Sequence, residues 1–449
     1  MVEPAPESTP EHTPTATVAG RPPSYAMRGG WRQRTFSALA DHNFRLLYFG
    51  NILQFGSMQM QLVVRGWLVF HLTGSFAALG TMALANAVPT LLLSPIGGVV
   101  ADRAPKKTVI QIGQTYNVIN AAALAVLAAG WFGLHLEFWH LFLSAFLQGG
   151  VNSIMQPSRQ AIISDLVPRD RLMNAIGINA SGQTLMQLVG PGIAGFLIAA
   201  LSPSVVFATM AGMYLLAVTF TMRLPKRPLY AFAQSPAGIA VARGRGGRRG
   251  AVGFRDLADG MKYVMRDRTI RTIIAINFLI VVVAMPYTML LPGFVSAVLH
   301  KGAFEQGTLQ SVQGIGAVIG ALFVASIVGK GRGKMFVACG ALLGVGIVGF
   351  ALSTNYWITL PIMVLIGVGQ SGRQALGQGL IQEYSADEYR GRVVAVWFME
   401  FGLVQFGTFI VGVLAQWLGP QIAIGALAAF LVVAMGLVAI FVPTMRNLE

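Results

Sequence analysis

Two ionisable side chains stand where water should be scarce. Glu400 lies about eight residues inside the apolar run 392–417, and Arg373 lies about eight residues before the end of the run 357–380. An α-helix rises about 1.5 Å per residue, so antiparallel neighbours would hold both groups roughly 12 Å below one membrane surface. Charge at that depth is costly and marks ion or proton pathways by default. Burial favours a neutral carboxyl, whereas a nearby guanidinium favours the carboxylate, so such a pair can hold or release a proton. The spacing therefore predicts an Arg373–Glu400 pair, either coupling protons to a cycle or permanently locking two helices. Arg65 is the third intramembrane charge, near the far end of the run 44–71. It snorkels to headgroups, pairs structurally with a polar neighbour, or faces a cavity mouth and attracts anionic substrate.

Other chemistries are poorly represented. The six histidines show no metal-ligand spacing, and the single cysteine, Cys339, sits in an apolar run where packing is its expected role. Gly314-Ile-Gly316-Ala-Val-Ile-Gly320 has one residue too many for a dinucleotide loop, so Gly316 and Gly320 read as a helix contact. The segment GKGRGKM lacks the spacing and Ser/Thr of a phosphate loop. No nucleophile–base pair is visible. The chain is not expected to be an enzyme, to bind a metal or to carry a cofactor.

The elements that must position these charges are long and apolar. Of the 449 residues, 55% are hydrophobic and 11% charged, where a soluble domain carries about 25% charged. Twelve apolar runs follow, at 44–71, 77–100, 107–129, 138–156, 174–200, 204–222, 270–297, 308–329, 334–353, 357–380, 392–417 and 421–443. Each has about the 20 residues that a helix needs to span a bilayer. Strands of a barrel would alternate in polarity, and these runs do not. An all-α membrane protein is predicted, with residues 44–222 and 270–443 forming two six-helix halves. The halves share a weak internal likeness: IISDLVPRDRLMNA at 162–175 aligns with LIQEYSADEYRGRV at 380–393, matching Asp165 to Glu383.

Charge sets the orientation. Of 32 Lys and Arg, all but Arg65, Lys301 and Arg373 fall in the termini or in every second loop. By the positive-inside rule both termini and the 223–269 linker are cytoplasmic. The same bias accounts for the net charge of +15, so no nucleic-acid binding is inferred. The RGRGGRR run at 243–249 reads as a flexible linker near anionic headgroups. Residues 1–43 are expected to be a disordered tail and entry segment, 230–253 a disordered part of the linker, and 444–449 a short tail.

One loop carries a family signature. Between the second and third runs stands Gly98-Val-Val-Ala-Asp102-Arg103-Ala-Pro105-Lys106-Lys107. It resembles the G-x-L-a-D-r-x-G-r-[RK] motif of the major facilitator superfamily, with Pro105 in place of the second glycine. The segments at 42–75, 174–198 and 390–396 further resemble the enterobactin-exporter-like branch, also called transmembrane secretion effectors, over roughly residues 36–445. The resemblance implies a secondary transporter of two pseudo-symmetric halves. In it, Gly98, Asp102, Arg103, Lys106 and Lys107 would latch the cytoplasmic gate, with Arg159 and Asp165 possible participants. The related Gly329–Lys334 loop keeps the bases but has no acid, which implies a weaker latch.

Gly190-Pro191-Gly192-Ile-Ala194-Gly195 partly resembles the family's antiporter motif, which points to export. Ordinary glycine-rich helix packing is the alternative for Gly190, Pro191 and Gly195. Proton-coupled relatives often have an arginine where this chain has Ala145, so coupling must use other residues. The first and fourth helices of each half line the cavity in this superfamily. That implies Gln54, Met58, Gln148, Asn152, Tyr287, Gln370 and Gln374 as cavity residues. The flexible thioethers of Met58 and Met155 would suit varied substrates, although packing is the commoner role.

Together these readings predict a monomeric exporter of small amphipathic compounds in the bacterial inner membrane: drugs, siderophores or metabolites. Its partners would be the substrate, protons and the bilayer. An importer or facilitator of the same fold, or a non-transporting receptor, are the rival readings.

Overall fold

The computed structural model describes residues 37–225, 229–230, 252–326, 331–386, 388–446 and 448. The expected disorder of 1–27 lies outside these residues, as does nearly all of 230–253. Every regular element described is helical. The first half comprises α1 (His42–Thr73), α2 (Phe76–Arg103), α3 (Lys106–Ala128), α4 (Phe138–Leu166), α5 (Arg169–Ala200) and α6 (Pro203–Met222). A linker helix, α7 (Val252–Arg266), precedes the second half. That half comprises α8 (Arg268–Ala284), α9 (Tyr287–Ala297), α10 (Ala303–Ser326), α11 (Arg332–Leu352), α12 (Tyr356–Tyr384), α13 (Arg390–Trp397), α14 (Glu400–Leu418), α15 (Pro420–Phe441) and the short α16 (Pro443–Arg446).

Eight helical stretches are long and apolar enough to cross a membrane on length and composition alone. They fall in α2, α5, α6, α8–α9, α10, α11, α13–α14 and α15. Helices α1, α3, α4 and α12 match the remaining expected runs in position but are more polar. Much of their polarity is buried: Gln54 and Gln61 in α1, Gln114 and Asn117 in α3, Gln148 and Arg159 in α4, Arg373 in α12.

Local chemistry sets the ends. Asp41 caps α1, accepting from the N–H groups of Asn43 and Phe44 at 2.8 and 3.1 Å. Gly74 ends that helix at φ 62°, a left-handed conformation that glycine adopts without steric cost. Ser75 then caps α2. Asp267 caps α8 and Asn355 caps α12 in the same manner.

Two runs expected to be continuous are broken. The 270–297 run divides at Met285–Pro286, where proline has no N–H to continue the ladder. The 392–417 run divides at Phe398–Met399, so Glu400 falls in the first turn of α14 instead of deep within one helix. The linker is also not wholly irregular. Tyr263 of α7 stacks on Tyr389 with ring centroids 4.4 Å apart, and its hydroxyl accepts from the Ala386 N–H at 3.3 Å. Gly260 packs against the Arg392 backbone.

Glycines allow the closest crossings within the second half. Gly316 of α10 faces Val364, Gly320 faces Val368, and Gly367 of α12 faces the backbone of Gln313 and Ala317. A Cβ at position 367 would collide with backbone that cannot rotate away. Gly367→Val should therefore destabilise the protein by about 1–3 kcal/mol. Thermal unfolding of the purified protein should fall by several degrees, while Gly379→Ala, with no atom within 4 Å of its added Cβ, should leave it unchanged.

Candidate transport site

The two halves meet along α2–α14 and α5–α10. In α5, a Cβ on Gly195 would meet the Ala303 carbonyl and Gly307 of α10. Gly307 in turn faces Pro191 and Gly195, and Gly192 faces the Ser311 hydroxyl. The other crossing repeats this pattern: Gly412 of α14 packs on Phe76 and Gly80 of α2. Gln416 Oε1 accepts from the Phe76 N–H at 2.8 Å and from Ser75 Oγ at 3.0 Å, so one half caps a helix of the other. All these contacts lie toward the end that carries Ser75, Ala200 and Ala303, opposite the basic loops. Pro191 and Gly195 thus belong to the contact between the halves, whereas Gly190 packs within its own half against Gln59 of α1.

Beside this contact is a cavity of about 250 Å³ between the halves. Met58, Gln61, Arg65, Gln148 and Asn152 line it from α1 and α4, Met82 and Asn86 from α2, and Thr288, Met289 and Gln405 from the second half. Methionines supply adaptable apolar surface and amides supply donors and acceptors. Arg65 is turned inward. Its Nη2 donates to Ser144 Oγ and to Gln148 Oε1, each at 2.9 Å. Gln148 Nε2 donates onward to Gln61 Oε1 at 2.6 Å. These polar neighbours on α4 explain why Arg65 does not snorkel. Helical spacing alone does not reveal such a network, because its members are about 80 residues apart.

Met58, Gln148 and Asn152 therefore line this cavity, and the other residues implied by the resemblance stand elsewhere. Gln54 is fully buried with neither amide atom hydrogen-bonded. Tyr287 is buried against Phe350, with ring centroids 5.9 Å apart, because the break at Pro286 restarts the helix there. Gln370 Oε1 accepts from Gln313 Nε2 at 2.6 Å. Gln374 is exposed.

The intramembrane charges form a triad with a member that sequence spacing missed. Arg373 Nη1 lies 3.4 Å from Glu400 Oε2, and both side chains are almost fully buried. Asn277 of α8 bridges them: its Nδ2 donates to Glu400 Oε2 at 2.8 Å and its Oδ1 accepts from Arg373. An amide in an apolar run was the only sequence signal for Asn277. The first-turn position of Glu400 adds the positive end of the α14 dipole to its environment.

At the basic end, Lys106 Nζ pairs with Asp165 at 2.7 Å. Lys107 Nζ donates to the carbonyls of Met222 and Leu224 at 2.8 and 2.5 Å, tying α3 to the end of α6. Arg103 is exposed. The surroundings of Gly98 and the side chain of Asp102 lie outside what is described. Neighbouring Gly97 makes the close helix approach, against the Ser153 carbonyl. Arg332 of α11 pairs with Glu383 of α12 at 2.6 Å, the counterpart of Lys106–Asp165 in the second half. The acid missing from the Gly329–Lys334 loop is thus supplied by the next helix but one. Arg159 does not join these loop pairs. It is buried in α4 over the Phe55 ring, 5.2 Å from its centroid.

Two helical halves around a cavity lined by methionines, amides and Arg65 are the architecture of a polytopic membrane transporter. The chain belongs to the transmembrane secretion effector family of the major facilitator superfamily, whose profile matches residues 33–449. It is similar to the staphyloferrin A transporter of Staphylococcus aureus (24% identity, 79% of this chain and 84% of the relative). It is also similar to macrolide efflux protein A of Streptococcus pyogenes (23% identity, 73% and 79%). The multidrug efflux pump Tap of Mycolicibacterium fortuitum is 23% identical over 90% of this chain and 96% of its own. Among solved structures, the fold resembles the nucleoside transporter NupG (TM-score 0.67, 15% identity, 91% and 100% covered). It also resembles a POT family transporter crystallised with 5-aminolevulinic acid (TM-score 0.66, 15% identity, 90% and 97% covered).

The triad yields a stability test. Glu400→Ala should leave Arg373 buried without a counter-charge and cost about 3–5 kcal/mol. The double variant Arg373→Met, Glu400→Met should be clearly more stable than that single variant, as read by thermal unfolding. The reverse order would show that the ion pair is not the lock between α12 and α14.

Proposed function

We propose that this protein exports small amphipathic molecules across the bacterial inner membrane by proton-coupled alternating access. The observation that carries this reading is the cavity, which lies between the halves beside the close α2–α14 and α5–α10 crossings at the end opposite the basic loops. A seal built from small residues can part as two rigid halves rock, because few interlocking side chains must be unpacked. By the charge bias both termini and the basic end face the cytoplasm, so the described state is closed to the outside. The twelve helical runs would then all cross the membrane, and the chain would work as a monomer. The names of the efflux relatives support export, and the mixed methionine–amide lining suits amphipathic compounds.

Glu400 is the proposed proton carrier. In the described state it pairs with Arg373 and Asn277. Separation of α12 from α14 would break that pairing. Lys106–Asp165 and Arg332–Glu383 brace each half so that the halves move as bodies.

Inverted membrane vesicles with a respiration-driven acidic lumen and a pH-reporting dye test this reading. Adding an exported compound should dissipate the acidity in wild type, as protons leave the lumen in exchange for it. Glu400→Gln should abolish the response. An equal response in that variant would make Glu400 structural. Substrate flux that survives collapse of the proton gradient would replace antiport with facilitation.

A further inference from the structure

We infer that the cavity selects substrates bearing an anionic group, a carboxylate above all, and that Arg65 is the residue that binds it. This rests on the transport reading and names the class of compound that the site takes.

Arg65 is the only charged side chain among the cavity-lining residues. A guanidinium stays protonated in proteins and has no neutral form to retreat to. Its described contacts are both to neutral groups, Ser144 Oγ and Gln148 Oε1, and both use Nη2. Its Nε is buried with no acceptor. No ion pair of Arg65 exists among the described residues, in contrast to Arg373, which has Glu400. The arginine is thus oriented but not neutralised. Gln148 is fixed in its turn by Gln61, so the guanidinium plane is held by an amide relay, and Nη1 is the donor group left neither bonded nor enclosed.

A second cation strengthens the positive potential of this half. Arg159 is 2% exposed, and its Nε and Nη1 have no hydrogen-bond partner. Its described neighbours are Met155 Sδ at 3.6 Å and the Phe55 ring, neither of which carries a formal charge. Arg159 is buried and Arg65 half-buried, and neither has a carboxylate partner among the described residues, an arrangement that carries a desolvation cost. An anionic substrate entering the cavity would offset part of it, whereas a cationic one would add to it. The free donors of a planar guanidinium suit a carboxylate, and the apolar side chains of Met58, Met82 and Met289 suit a lipophilic body.

The test compares acids with their uncharged analogues on the purified full-length chain in phosphatidylcholine nanodiscs. Naproxen, 1-naphthylacetate and dansyl-glycine are each titrated against their primary amides by fluorescence, with tetraphenylphosphonium as the cationic probe. At least one acid should bind about tenfold or more tightly than its amide, the scale of a hydrogen bond to a charged group. Arg65→Gln should erase that preference, and Arg65→Lys should retain part of it. The wild-type ratio needs no variant, so it decides the matter even if Arg65→Gln fails to fold. No acid preference in any pair, or stronger binding of the cation, overturns the inference. The vesicle assay separates this failure from that of the export reading. Proton release by amides and acids alike would sink the anion site and leave export standing, whereas acid-selective binding without proton release would do the opposite.

Discussion

A bilayer leaves polar groups no water to fall back on, and that constraint organises this protein. An amide or charge within the spans is costly unless it finds a partner inside the protein or faces a cavity. Gln313–Gln370, Gln61–Gln148 and Asn277–Glu400 are partners from different helices. They fix which faces meet where leucine and valine alone would permit many registers. Apolar side chains gain little by leaving lipid for one another, so such bonds and close backbone contact carry much of the specificity.

The same economy separates what moves from what holds. Within each half, an ion pair at the basic end ties neighbouring helices, Lys106–Asp165 in one and Arg332–Glu383 in the other. Between the halves the contact is of another kind. Gly195 on Gly307 and Gly412 on Gly80 bring backbones together with few side chains interlocked. The Arg373–Asn277–Glu400 triad joins α8, α12 and α14, three helices of one half, and α14 is also half of the seal. Glu400 therefore begins a helix that also packs against the other half.

The first half contains the cavity's only charged side chain, Arg65, and the second contains the paired acid. This division assigns the two halves different chemistry despite their likeness in sequence. The likeness itself was visible in the alignment of Asp165 with Glu383, and in the structure both acids brace the basic end. The motif Gly190–Gly195 matters here through packing geometry, because it forms one of the two seal crossings.

The sequence by itself determined the all-helical membrane architecture, the two halves and the basic end. These follow from composition, run length and charge bias, which depend on how each segment meets lipid or water and not on which segment it meets. Tertiary structure alone decided the rest. It placed Asn277 between Arg373 and Glu400 and turned Arg65 onto Ser144 and Gln148. It put Tyr287 behind the helix break at Pro286, and it interrupted the eleventh run so that Glu400 begins a helix. Each of these depends on which faces of distant helices come together. In an apolar run every face looks much alike to a one-dimensional reading, and only the pairing of scattered polar groups selects one arrangement.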